Sequence, residues 1–177
     1  MLCKSRHYVP NEELRSIYHA IFSSHLIYGC QVWGQKDNVH TKKVFKLQNR
    51  AMRIISFAGF RDDPNPIFKE YKILKLEDFT SLQNCLFVHD YVNNKLPECF
   101  ASYFKTVTEV HSQGTRNSQW GCLHIPHFAT KQYGLDSITK QSILIWNHFS
   151  KLFKCNFKNI SRNSLKQKIT SHFIDSY

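Results

Sequence analysis

A chain of 177 residues and 20.9 kDa has room for one domain with a core, and a two-enzyme chain is excluded because domains occupy roughly 100–200 residues each. Lys and Arg number 24 against 13 Asp and Glu, a formal charge of +11, yet 42% of the residues are hydrophobic and 14% aromatic, which excludes a disordered polycation. Such a folded basic protein points to an anionic partner, a nucleic acid or a membrane surface, without bearing on the fold itself.

The first amphipathic helix follows Pro10, with Asn11 as N-cap, Glu12 and Glu13 in the first turn, and Leu14, Ile17, Tyr18, Ile21, Phe22 and Leu26 at helical spacing to about Gly29. A polar turn over 34–38 separates it from a second helix capped by Thr41, in which Val44, Leu47, Ala51, Ile54, Ile55 and Ala58 share one face. At about 100° per residue, Lys42, Lys43, Lys46, Arg50 and Arg53 gather roughly opposite Ala51. A face of this kind can follow a phosphate backbone by releasing condensed counterions, and it is also what the solvated side of an ordinary surface helix looks like.

Prolines at 64 and 66 then break the helix. Pro66 opens a short helix through Tyr71, and Asp78 caps a longer one with Phe79, Leu82, Leu86 and Tyr91 inward, ended by the run from Asn93 to Pro97. A helical piece from Glu98 to Phe104 precedes a polar loop over 107–121 and an extended stretch, Cys122 to Pro126, which its proline confines to an edge. Two helices close the chain: Ser137 to Phe153 with Ile138, Ile145, Trp146, Phe149 and Phe153 inward, then one capped by Ser161 with Leu165, Ile169 and Phe173 stacked. The expected architecture is mostly α with at most a short β element in the C-terminal third, divided as 1–106, 107–136 and 137–177.

Charge is uneven along this order: residues 1–60 carry 9 Lys/Arg and 3 Asp/Glu, 61–110 carry 6 and 8, and 111–177 carry 9 and 2. A polyanion is therefore expected on the first and last thirds, with Lys151, Lys154, Lys158, Lys166 and Lys168 adding to the second of these. The six cysteines show no C-x-x-C pair, and no secretory leader is read at the start, so thiols in a reducing, nuclear or cytoplasmic compartment are expected. Apolar runs such as Ile143 to Trp146 fall far short of the ~20 residues that span a bilayer, so no membrane partner is expected.

Catalytic signals are weak. Asp62 and Asp63 form a carboxylate pair of the sort that holds two divalent cations, but they follow a helix directly before Pro64 and read as turn formers. Cys122, His124 and His127 are residue types that zinc accepts, yet no fourth ligand is near in sequence, and neither metal nor cofactor is expected. No H-E-x-x-H, G-x-S-x-G or Gly-rich phosphate loop occurs. Trp120, in the polar loop, is a candidate contact to a base or to a partner, and Arg116 beside it a candidate nucleic-acid contact.

Longer stretches carry a resemblance. Leu14 to Gly34, reading L-R-S-I-Y-H-A-I-F-S-S-H-L-I-Y-G-C-Q-V-W-G, resembles the segment after the palm in reverse transcriptases of LINE-type, jockey-like non-LTR retrotransposons. Leu47 to Ile55 resembles that family's L-Q-x-[KR]-A-[LM]-R-I-I helix, and Asn65 to Asp78 its P-L-F-x-x-L-x-I-L-x-L-x-D stretch. Leu96-Pro97, Thr115-Arg116, Trp146-Asn147 and Ser164 to Lys168 follow in the family's order, although its W-N-x-L-P reads W-N-H-F-S here. The resemblance implies a helical, thumb-like and post-polymerase region that grips template–product duplex, RNA–DNA or DNA, through phosphate contacts by Lys42, Lys46, Arg50 and Arg53, with Lys43 and Arg116 as further candidate nucleic-acid contacts. In this family the fingers, palm and Y-x-D-D loop precede the matching region, so an upstream palm of the same polyprotein is an expected partner and polymerase activity by these residues alone is not expected. The alternative expectation is a non-catalytic helical scaffold that binds protein.

Overall fold

The computed structural model describes residues 2–34, 39–111, 114–127 and 137–177; the expected polar turn at 35–38 and the loop positions 112–113 and 128–136 lie outside them. The chain is mostly helical, and among the described residues the one pairing of extended backbone is an antiparallel bridge between Thr106 and Leu123. Two compact units are formed, Met1–Thr80 with Ser171–Tyr177, and Ser81–Thr170, so the divisions fall inside helices and cut across the three stretches drawn from the sequence.

In the first unit, α1 (Leu2–Ser5) precedes a helical run made of α2 (Asn11–Ile17), a π-helical segment Tyr18–Ser23 and α3 (Ser24–Ile27). Pro10, not Asn11, holds the N-cap position, and the Asn11 amide donates instead to the Tyr71 hydroxyl at 3.4 Å. The wider π turn corrects the expected inner face. Leu14, Tyr18 and Leu26 are buried and Phe22 partly so, whereas Ile21, placed inward by a regular helical period, is 44% exposed. Gly29, at φ +61, then caps α4 (Cys30–Trp33) in the left-handed conformation, and a Cβ on Gly34 would stand 2.4 Å from the Cys30 carbonyl oxygen.

Helix α5 (Val39–Ile55) starts before its expected cap. Thr41 lies inside the helix, buried, and its hydroxyl donates to the Trp33 carbonyl at 3.1 Å. The buried seam is Thr41, Gln48, Ala51, Met52 and Ile55, rotated from the expected one, so that Leu47 is 54% exposed and Val44 and Ile54 are half-buried. Leu14, Tyr18, Ala51, Met52 and Ile55 pack with Ile67 and Phe68 of α6 (Asn65–Glu70) and with Ile73 as one core.

The first amides of α7 (Leu76–Val92) are capped from far along the chain. Leu76 N–H donates to the Gln48 carboxamide oxygen at 2.9 Å, and Lys75 N–H to the Tyr177 hydroxyl at 3.0 Å. That hydroxyl donates in turn to Asp78 at 2.6 Å, so Asp78 is the third residue of the helix and not its cap.

The second unit contains α10 (Ile138–Phe153) and α11 (Arg162–Asp175) as far as Thr170; Ser161 caps α11 as the sequence predicts, accepting from Ser164 N–H, while Ser137, expected as the first residue of its helix, is the N-cap of α10 and accepts from Lys140 N–H. The Asn147 carboxamide lies along the backbone of Leu123, accepting from its N–H at 2.7 Å and donating to its carbonyl at 2.8 Å, as a neighbouring strand would. Trp146 donates to Gly121 O at 2.9 Å, and Gly121 is obligatory, with φ +67 and the Asn156 side chain 2.6 Å from where a Cβ would sit. The expected loop over 107–121 contains α8 (Val107–Val110) and α9 (Arg116–Gln119). The first is fixed by a capping box in which Thr106 and Glu109 exchange hydrogen bonds, a T-x-x-E signature present in the sequence.

Candidate nucleic-acid interface

Seventeen residues of α5 make a rod about 25 Å long at 1.5 Å per residue. With Thr41, Gln48, Met52 and Ile55 committed to the core, the opposite side is left to Lys42, Lys43, Lys46 and Arg50, all exposed. No Asp or Glu occurs in the helix to neutralise them. Lys42 and Arg50 lie about 12 Å apart along the axis, the length of three to four base steps of a duplex.

Arg53 belongs to the stripe by angle but differs in environment: it is half-buried, and its Nε donates to the Asp62 carbonyl at 2.7 Å. Its guanidinium thus fastens the turn after α5 to the helix. In that turn Asp62 accepts from Gly59 N–H at 2.6 Å and Asp63 from Asn65 N–H at 3.1 Å, the work of turn carboxylates.

Arg116 opens α9 in the second unit and is exposed beside the Thr115 cap. Lys151, Lys154, Lys158, Lys166 and Lys168 are exposed in the same unit, Lys168 Nζ standing 4.6 Å over the Phe153 ring. Trp120 is half-buried at the end of α9.

Cys122, His124 and His127 do not converge on a metal site. Cys122 is buried, its thiol pushed up by burial with Lys151 opposing; His124 turns its ring to His111, 5.8 Å between centroids; His127 is exposed. Among the described residues no three His, Cys, Asp or Glu side chains are arranged to hold one metal ion. Nor, among those residues, is any helix long and apolar enough to cross a membrane.

Two features escaped the helical pattern. An apolar groove of about 280 Å³ runs beside the stripe, lined by Leu2, Ile17, Ile21, Leu47 and Ile54 with Arg50 at its edge, because the rotated seam of α5 leaves Leu47 uncovered. The turn after α5 also presents Phe60 to solvent, 81% exposed, a side chain that periodicity does not place because it lies beyond the helix. No family model matches the chain, and no curated protein or solved structure matches it.

Proposed function

We propose that this chain is a duplex-binding, thumb-like and post-polymerase region of a LINE-type non-LTR retrotransposon reverse transcriptase, non-catalytic by itself. The observation that carries the reading is the face of α5, where Lys42, Lys43, Lys46 and Arg50 stand exposed on one rigid helix without a carboxylate. The ordered resemblance across residues 14–168 supports it. Contact to phosphates gives affinity without sequence reading, and it needs neither metal nor cofactor. Arg53 contributes charge next to these residues while holding the adjoining turn, and Arg116 is a further phosphate contact. The partner is template–product duplex, RNA–DNA or DNA, and an upstream palm supplies the chemistry in a nuclear or cytoplasmic setting.

Lysine acetylation footprinting with and without an RNA–DNA hybrid tests this. Lys42, Lys43 and Lys46 are expected to be protected by the hybrid while Lys69 and Lys72, exposed elsewhere in the first unit, remain reactive. Equal reactivity at all five would leave the apolar groove beside Arg50 as the better guide, favouring a scaffold that binds protein.

A further inference from the structure

We propose that the turn after α5 is a stacking site for unpaired nucleotides. Resting on the duplex-binding reading, this assigns the helix face to double-stranded backbone and the end of the helix to the single strand that adjoins it.

The turn is built to hold a ring in water. Gly59 O accepts from Asp62 N–H at 3.3 Å and Gly59 N–H donates to the Asp62 carboxylate at 2.6 Å, which closes four residues with Phe60 at the first corner. A Cβ at Gly59 would lie 3.1 Å from that carboxylate, so only glycine fits without displacement. Arg53 ties the same turn to α5 through Asp62 O. Phe60 is thus an exposed aromatic on a hydrogen-bonded platform, and its apolar face gains from being covered.

Its surroundings favour a base as the cover. Phe57 holds a left-handed backbone, φ +57, that glycine ordinarily takes at a helix end, and the Arg6 guanidinium sits 4.9 Å over its half-exposed ring. Arg61 follows Phe60 directly and is exposed. Aromatic faces interleaved with planar guanidiniums are the elements that stack bases and receive the phosphates between them. Asp62 and Asp63 oppose an anion, but their carboxylates accept from the turn's own donors, Gly59 N–H and the N–H and side chain of Asn65.

The test compares the full chain with Phe60→Ala and Phe60→Tyr on three probes: a blunt RNA–DNA hybrid, the same hybrid with a short unpaired extension, and the unpaired oligonucleotide alone. The extension is expected to tighten binding about tenfold, the usual weight of one stacked base. Phe60→Ala should abolish that gain while leaving affinity for the blunt hybrid and its salt dependence unchanged, and Phe60→Tyr should retain it. Equal affinity for blunt and extended hybrids, or a gain that survives Phe60→Ala, overturns the stacking site. If no hybrid binds, the duplex reading has failed. The oligonucleotide then decides the stacking site separately, which stands if Phe60→Ala weakens binding to it and falls if it does not.

Discussion

Gln48 ties three parts of the first unit together through one side chain. Its carboxamide donates to the Tyr18 hydroxyl at 3.1 Å and accepts from Leu76 N–H at 2.9 Å, both buried, and donates to the half-buried Leu74 carbonyl at 3.0 Å. Replacing it by leucine keeps the volume and strands three polar groups. Since each unsatisfied buried group costs roughly 1–3 kcal/mol, Gln48→Leu should lower the unfolding free energy by about 3 kcal/mol or more in a denaturant titration. Tyr177 plays the second capping role, with its ring edge-on to Phe68 and Lys75 Nζ 3.9 Å above its centre. Burial first, and then the hydrogen bond and charge of Asp78, push its phenol well above the ordinary 10.0. The folded state therefore keeps the proton longer than the unfolded chain. That contribution is present in full below about pH 10 and is lost as pH rises from the unfolded value through the folded one. Tyr177→Phe should cost about 1–2 kcal/mol at neutral pH and flatten the fall in stability above pH 10, which thermal unfolding across pH reads directly. Neither role is legible in the sequence, because the partners lie 28 residues apart for Gln48 and Leu76, and 99 for Tyr177 and Asp78.

Helices were legible where spacing was regular and illegible at their ends. Leu14, Tyr18, Ala51, Ile55, Trp146, Phe149, Leu165 and Ile169 lie inside as their periodicity predicts. Ile21 and Leu47 do not, because a π-helical segment and a rotated seam shift the buried face by a fraction of a turn, a shift set by packing and not by local propensity. Helix ends show the same limit. Phe57, Lys72, Asn94 and Lys154 each adopt the left-handed conformation after a helix, where the following N–H reaches back to the carbonyl five residues before it: Ala58 to Arg53, Ile73 to Phe68, Lys95 to Asp90, and Cys155 to Ser150. Glycine is the residue that announces this closure in a sequence, and none of the four positions has it. Lys154, exposed and at φ +47, offers the clearest test. A non-glycine residue there carries about 1 kcal/mol of backbone strain, partly offset by glycine's larger unfolded freedom, so Lys154→Gly should stabilise by about 0.5 kcal/mol. The raised midpoint would appear in a denaturant titration, and a lowered one would contradict the strain.

For the molecule as a whole, basic thirds flank a slightly acidic middle, and the first of these thirds owes four of its nine cations to the exposed face of α5. The charge pattern and the candidate stripe were both readable from the sequence, since a surface face depends only on the helical period. The distinction within the stripe was not, for Arg53 is half-buried and bonded to Asp62 O by a turn that closes only in three dimensions. A variant that removes charge without disturbing that turn is therefore Lys42→Ala, Lys43→Ala, Lys46→Ala and Arg50→Ala together, sparing Arg53. The decisive measurement is binding of this variant and the native chain to an RNA–DNA hybrid across a salt series, with unfolding curves confirming that both are folded. If α5 tracks the phosphate backbone, the slope of log affinity against log salt should be shallower in the variant by about 3 to 4, close to one per lost phosphate contact. Equal slopes for the two proteins would contradict duplex binding by this face.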